Sequence, residues 1–388
     1  MTSPTLAATA QWTTTGDLPS AGSWYGQYEG AILLKNNKVL VAGGADGKAV
    51  ALTKAAVYDA ASGKWTATAP LQTPRRLHTA TLLDDGKVLV AGGTSGSSPL
   101  SPGLATAELY DPAAGTWKTV AGMHEPRFGH SAVLLPNKKV LVAGGTTVRS
   151  GDSVRALRSA ELYDPAADKW TDAAAMTDAR SGHPAVVLKG GRVLVCGGTA
   201  AISGHDEAAL AFCELYNPDT DTWAPTGDLA EPRSRHQATQ MSDTTVLVIG
   251  GSTPGTPGDG TFDPFSHLTA EVYDQATGAW TAMPARPGGR GFHRAVPLGS
   301  GKVLVIGGTA DINNDVGYQS VLIFDSAAKT WSATTGLATG RWAFAATALS
   351  DKRVLVTGGA VRSGLAAADP DIDDLTATTE IFSAGSSS

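Results

Sequence analysis

Lys139-Val140-Leu141-Val142-Ala143-Gly144-Gly145 is an apolar run closed by two glycines, and the chain carries a run of this type seven times. The glycine pairs are Gly43-Gly44, Gly92-Gly93, Gly144-Gly145, Gly197-Gly198, Gly250-Gly251, Gly307-Gly308 and Gly358-Gly359, spaced by 49 to 57 residues. A short continuous apolar run reads as a strand buried on both faces. Paired glycines at its end suit a bulge or a close backbone approach. A second apolar stretch precedes each run, as at Ser131 to Leu135, and a turn such as Asp85-Gly86 joins the two into a hairpin. After a variable loop, six copies carry an aromatic followed by a polar residue: Tyr58-Asp59, Tyr110-Asp111, Tyr163-Asp164, Tyr216-Asn217, Tyr273-Asp274 and Phe324-Asp325. Trp65, Trp117, Trp170, Trp223, Trp280 and Trp331 follow them. Each repeat therefore reads as four strands, a to d. A unit this small cannot bury its own apolar faces, so neighbours must stack.

The seventh copy has Glu380-Ile381-Phe382 as its strand c and then lacks a tryptophan. The missing strand lies at the other end, where Trp12 to Leu18 matches Trp223 to Leu229. Pairing the first strand with the last sheet closes a ring and removes the open ends of a linear array. Double glycine, tyrosine and tryptophan at this spacing resemble the kelch repeat from about Trp12 to Phe382. The resemblance implies an all-β fold, a seven-bladed kelch β-propeller of four-stranded blades. Strand a would line the channel and strand d would lie outside. One propeller is expected over residues 1–388, with blade 7 formed by 341–382 and an N-terminal strand around 10–15, and a tail at 383–388. The family resembled has no single function. It includes protein-binding platforms, copper radical oxidases, a sugar mutarotase and iron-dependent specifier proteins, so the fold leaves function open.

Composition agrees with a turn-rich β protein: 46 glycines and 21 prolines among 388 residues, with 42% hydrophobic residues to supply a core. A net charge of −6 argues against nucleic acid as a partner. The sequence holds no apolar run of membrane-spanning length and no secretory signal, so no membrane partner is expected. Two cysteines are no disulfide framework, and a cytoplasmic monomer is the expectation. Cys196 and Cys213 hold strand b and strand c positions in blade 4, as neighbouring thiols or a disulfide.

The resemblance places the d–a turns and b–c loops together around one mouth of the channel. Strand a is entered through Arg-x-x-His at Arg75/His78, Arg127/His130, Arg180/His183, Arg233/His236 and Arg290/His293. Imidazole is the commonest metal ligand, and several converging on one axis would suit copper, iron or zinc. The competing reading is that a residue repeated in every blade serves packing. The arginines have a structural reading as well. Glu108, Glu161, Glu214, Glu271 and Glu380 stand two residues before the strand c aromatic, and buried arginine needs such a partner. Blade 1 lacks both, with Gly26 and Ala56 at the two positions, and blade 6 has Arg290 but Leu322.

Departures from the repeat mark a candidate pocket. Counting back from the glycine pair puts Glu29, beside Tyr28, at the histidine position of blade 1 and Phe344 at that of blade 7. Trp24, Trp342 and Phe344 would form an apolar wall facing polar groups, the composition of a small-molecule pocket. In this reading Glu29, Tyr28 and Arg341 are catalytic, Arg235 joins the aromatics as a ligand contact, and the five histidines hold metal. The activity would be a metal-assisted oxidoreductase, isomerase or cyclase. Members of the resembled family with copper radical chemistry carry a Tyr-His pair here. Leu77, Gly129, Gly182, Arg235 and Phe292 precede these histidines, which disfavours that design. The alternative is a non-catalytic platform for a protein or peptide partner, reading it through the long b–c loops and residues such as Arg155 and Phe265.

Overall fold

The computed structural model describes residues 10–24, 30–98, 100–149, 153–203, 206–253, 265–286, 288–310 and 316–384. Seven four-stranded antiparallel sheets follow one another along the chain. Blade 3 is representative, with strands a to d at Ser131–Leu134, Val140–Ala143, Ala160–Asp164 and Lys169–Ala173. Blade 7 takes its outer strand from the N-terminus. Gln11–Thr14 pairs antiparallel with Thr379–Ser383, with Trp12 opposite Phe382 and their rings 5.2 Å apart. The predicted closure is therefore present.

Each strand type has its own environment. Every residue of Val140–Ala143 is buried, as is every residue of Val88–Ala91 and Val193–Cys196, so strand b is covered by sheets on both sides. Strand a faces the axis. A space of about 310 Å³ is lined by Ala31–Leu33, Ala80–Leu82, Ala132–Leu134, Val187 and Thr347, all from the innermost part of five different blades.

The aromatic signature explains how blades adhere. Tyr163 sits opposite Trp170 in the c–d ladder, with ring centroids 5.0 Å apart. The indole Nε1–H of Trp170 then donates to Ala121 O of the preceding blade at 2.7 Å. Trp117, Trp223, Trp280, Trp331 and Trp12 make the same bond backward to Ala69, Ala174, Gly227, Pro284 and Thr335. Trp65 closes the ring by donating to Thr379 Oγ1. A buried tryptophan places its large apolar body and its one donor together, which makes it the seam residue at every interface. The polar residue after the aromatic shapes the c–d turn: Asp164 Oδ1 accepts the amides of Ala166 and Ala167.

Cys196 and Cys213 are register partners between strands b and c, both buried and both free thiols. No helix among the described residues is long and apolar enough to cross a membrane.

Candidate functional site

The glycine pairs sit where strand b reaches the loop face. Gly144 and Gly145 have φ of 64° and 97°. A Cβ on Gly144 would lie 2.5 Å from Arg180 O and 2.7 Å from His183 Cε1 of the next blade. The pair therefore lets the following d–a turn press its backbone and its histidine against the blade before it.

That contact decides the role of the five histidines. His78, His130, His183, His236 and His293 are at most 2% exposed. His130 Nε2 bonds Thr79 Oγ1 and His183 Nε2 bonds Ser131 Oγ, each at 3.0 Å and each reaching the blade before. His236 Nε2 meets Cys196 Sγ at 3.6 Å. Burial, reinforced by the neighbouring arginine, holds His78 down to about 3 and the other four well below the usual imidazole range. They are neutral wedges between blades. Among the described residues the structure does not bring three of them within reach of one ion. The geometry thus departs from the expected convergence on the axis, because each ring points sideways into an inter-blade seam.

The arginines behave as their glutamates suggest. Arg127 is fully buried; its Nη2 donates to Glu161 Oε1 at 2.8 Å and its Nη1 to Gly144 O and Ser159 O. Glu161 also accepts the amides of His124 and Glu125. Arg75–Glu108, Arg180–Glu214, Arg233–Glu271 and Arg341–Glu380 repeat the arrangement. Arg341, expected as a catalytic group, is one of these ties. It is fully buried, 2.7 Å from Glu380, and also bonded to Gly358, Thr378 and Thr339.

The expected aromatic wall is interior. Trp342 and Phe344 are fully buried and Trp24 is 3% exposed. Phe344 wedges against Gly307 as a histidine does elsewhere, and Trp24 does so against Gly358. This corrects the alignment of blade 1. Gly359 N donates to Gly22 O at 2.9 Å, just as Gly93 N donates to Arg127 O. Gly22, not Gly26, holds the arginine position; Trp24 follows it by two residues rather than three, and its ring fills the wedge space that a histidine fills elsewhere. Glu29 and Tyr28, with the rest of 25–29, lie outside the described residues.

What encircles the channel mouth is a collar made by the residue two beyond each arginine position, which in blade 1 is Trp24 itself. Gly129 N donates to Leu77 O, Gly182 N to Gly129 O, Arg235 N to Gly182 O, Ala343 N to Phe292 O and Trp24 N to Ala343 O. Leu77, Gly129, Gly182, Arg235, Phe292 and Ala343 all have φ between 49° and 61°. Leu77, Arg235 and Phe292 are half-buried, and the Arg235 guanidinium lies 5.9 Å from the Phe292 ring centroid. Of the expected ligand contacts, Arg235 alone keeps an accessible position on this face.

Outside the collar, b–c loops rise as extra hairpins. Thr146–Arg149 pairs with Ser153–Ala156, Thr199–Ser203 with Asp206–Ala209, Ser252–Thr253 with Phe265–Ser266 and, in blade 7, Ala360–Arg362 with Asp374–Leu375. The hairpin of blade 3 lies against that of blade 4 and that of blade 4 against that of blade 5, which makes a wall over blades 3 to 5. Arg155 on the blade 3 hairpin and Arg158, two residues past its end, are exposed. Among the described residues, blades 1 and 2 have single bridges there, Ala45 to Ala51 and Thr94 to Gly103.

One further cluster escaped the sequence reading. His124 Nδ1 lies 2.7 Å from Asp172 and 3.9 Å from Glu161, and the Asp172 hydrogen bond raises the imidazole above its usual range. Three ligand atoms are available there within 4.8 Å of one another. Glu161, however, already serves Arg127 and two amides.

The chain matches the family described as the KLHDC2/KLHL20/DRC7 Kelch-repeats domain over residues 7–198 and 129–359. Kelch-like protein 34 of Homo sapiens is 26% identical over 59% of this chain and 34% of its own length. Kelch repeat and BTB domain-containing protein 13 of Homo sapiens is 30% identical over 46% of this chain and 34% of its own length. Kelch-like protein terF of Aspergillus terreus is 26% identical over 57% of this chain and 48% of its own. The chain therefore spans a third to a half of the length of these relatives. Among solved structures, a fungal alcohol oxidase of the AA5 family in complex with copper shares the fold, with a TM-score of 0.71 at 19% identity, covering 97% of this chain and 76% of that one. At 19% identity that likeness extends to the fold alone. By its repeats, its ring of seven blades and these matches, the chain belongs to the Kelch-repeat family.

Proposed function

We propose that the chain is a protein-interaction platform that takes a partner segment on the loop face of the propeller. The observation that carries this reading is the wall of adjoining hairpins over blades 3 to 5, rising beside a collar whose polar side chain is Arg235. Of the residues expected to make an enzyme of the mouth, the five histidines are buried between blades, Arg341 is tied to Glu380, and Trp24, Trp342 and Phe344 are packed inside, while Glu29 and Tyr28 lie outside the described residues. Long loops on a rigid frame are where binding is usually placed. Arg155, Arg158 and Arg235 favour a segment carrying carboxylates. The paired free thiols of blade 4 suit a reducing compartment such as the cytoplasm.

A peptide display selection on the purified chain tests the reading. Peptides rich in Asp and Glu should be enriched. Their affinity should fall about tenfold or more in Arg155→Glu/Arg158→Glu/Arg235→Glu and weaken with salt. Enrichment of neutral peptides, or affinity unchanged in the triple variant, would sink it.

A further inference from the structure

Blade 1 lacks the ion pair that ties the d–a connection to strand c in five other blades, and the space has not closed. Gly22 stands where Arg127 stands in blade 3, and Ala56 where Glu161 stands. Between the 18–22 connection and blade 1 lies a cavity of about 300 Å³, within the range of small-molecule sites. Leu18, Trp24, Leu52 and Pro70 give it apolar walls.

The other blades show what chemistry this space accepts. In blade 3 one guanidinium nitrogen donates to Gly144 O at 2.9 Å and to Ser159 O at 3.0 Å. Blades 2, 4, 5, 6 and 7 repeat the bonds. The matching acceptors in blade 1 are Gly43 O and Lys54 O. Lys54 O accepts Gly43 N, as Ser159 O accepts Gly144 N, and keeps a lone pair toward the missing donor. Gly43 is buried and borders the cavity, and among the described residues its carbonyl receives no hydrogen bond. A buried acceptor left without a donor favours any guest that supplies one.

Charge selects the guest further. Five of the six arginines sit beside a glutamate, whereas among the described residues no carboxylate borders this cavity. Lys54, exposed at its edge, replaces the hydroxyl residue that assists the arginine as Thr106, Ser159 or Thr269. A cationic guest would be buried without a partner and repelled by the lysine. We infer that this cavity binds an uncharged small molecule with an apolar body and a planar N–H donor, of which a primary carboxamide is the simplest. The site is separate from the hairpin wall, so the two readings stand or fall independently.

Benzamide, benzamidine, benzoate and toluene are the probes, followed by thermal shift and calorimetry on the full chain. Benzamide should raise the melting temperature saturably with one site per chain. The other three should bind about tenfold more weakly or worse. Gly22→Arg/Ala56→Glu, which restores the ion pair, should abolish benzamide binding. Room exists for it: a Cβ on Gly22 would meet Leu52 and Trp24 at 3.5 and 3.6 Å, ordinary contacts. Gly22→Met, which fills the space without charge, serves if the double variant does not fold. No benzamide binding by the natural chain, a preference for the acid or the amidine, or binding that survives in either filled variant would overturn the assignment.

Discussion

Arg290 enters blade 6 with Leu322 at the strand c position that supplies its glutamate partner in five other blades. Its guanidinium bonds Gly307 O, Ser320 O and Ser320 Oγ, and burial lowers it to about 10. A second arginine, Arg286, is buried four residues earlier, where the other connections place Leu18, Leu71, Met123, Met176, Leu229 and Leu337. Arg286 donates to His267 O and Arg290 O, while its Nε and Nη1 have no partner among the described residues. Burial, then the charge of Arg290, pushes it down to about 9 from 12.5. As pH falls the unfolded chain takes up this proton first, so the penalty is complete below about 9. Arg286→Leu restores the residue type of the other blades and should stabilise the fold by about 1–3 kcal/mol at neutral pH. Denaturant unfolding measures it, and a destabilised variant would show that Arg286 has an anionic partner in the folded state.

The Arg127–Glu161 tie should be far more sensitive to losing one partner than both. Glu161→Gln leaves a buried guanidinium without its counter-charge and should cost about 3–5 kcal/mol. Arg127→Gly/Glu161→Ala recreates the pair of residues found in blade 1. Its cost should fall well short of the sum of the single variants, because the two groups share one network. Additive costs in urea unfolding would mean that the pair is not a unit.

The fold was legible because its determinants recur. Seven glycine pairs, the tyrosine–tryptophan ladder and the match of Trp12 to Trp223 each repeat a local requirement, so any copy confirms the others. The arginine–glutamate ties were legible for the same reason, through their joint absence from blade 1. Sites are not repeated, and there the reading failed. Counting back a fixed distance from Gly43 to Gly26 and Glu29 assumed that no residues had been added before strand a. The backbone instead reaches the arginine position at Gly22, so that the Trp24 ring fills the wedge space, and the hydrogen bond from Gly359 to Gly22 reveals it. His183 looked like a ligand because sequence gives residue type and spacing, not the direction in which the ring turns. Arg286 had a visible signal, an arginine in a column of leucines and methionines, that a repeat-by-repeat comparison would have found.

The wedge histidines should make the fold acid-sensitive well above the carboxylate range. Each is neutral when folded and has an unfolded value near 6.5. Below that pH the unfolded chain binds protons that the folded chain refuses. Stability is therefore lost as pH falls through about 6.5 and continues to fall toward about 3, where His78 finally protonates. His183→Phe copies the wedge of blade 7, should fold, and should remove one share of this slope. His183→Ala opens a cavity and should cost about 2–4 kcal/mol. Urea midpoints between pH 4 and 8 decide it: a slope unchanged in His183→Phe would contradict the neutral-wedge assignment.

Arg235 offers a way to separate binding from folding. Its φ of 54° is left-handed, in the same collar position that Gly129 and Gly182 fill without strain. For a residue with a Cβ that conformation costs about 1–2 kcal/mol, and strain of this kind gathers at functional sites. The backbone bond from Arg235 N to Gly182 O does not depend on the side chain. Arg235→Gly should therefore raise the melting temperature by a few degrees, the shift expected for about 1 kcal/mol. The same change removes the one charged side chain the collar presents and should weaken binding of an acidic segment. The two effects must move in opposite directions. If stability and affinity fall together, Arg235 holds the collar in place; if stability rises and affinity is untouched, the partner reads the hairpin wall without it.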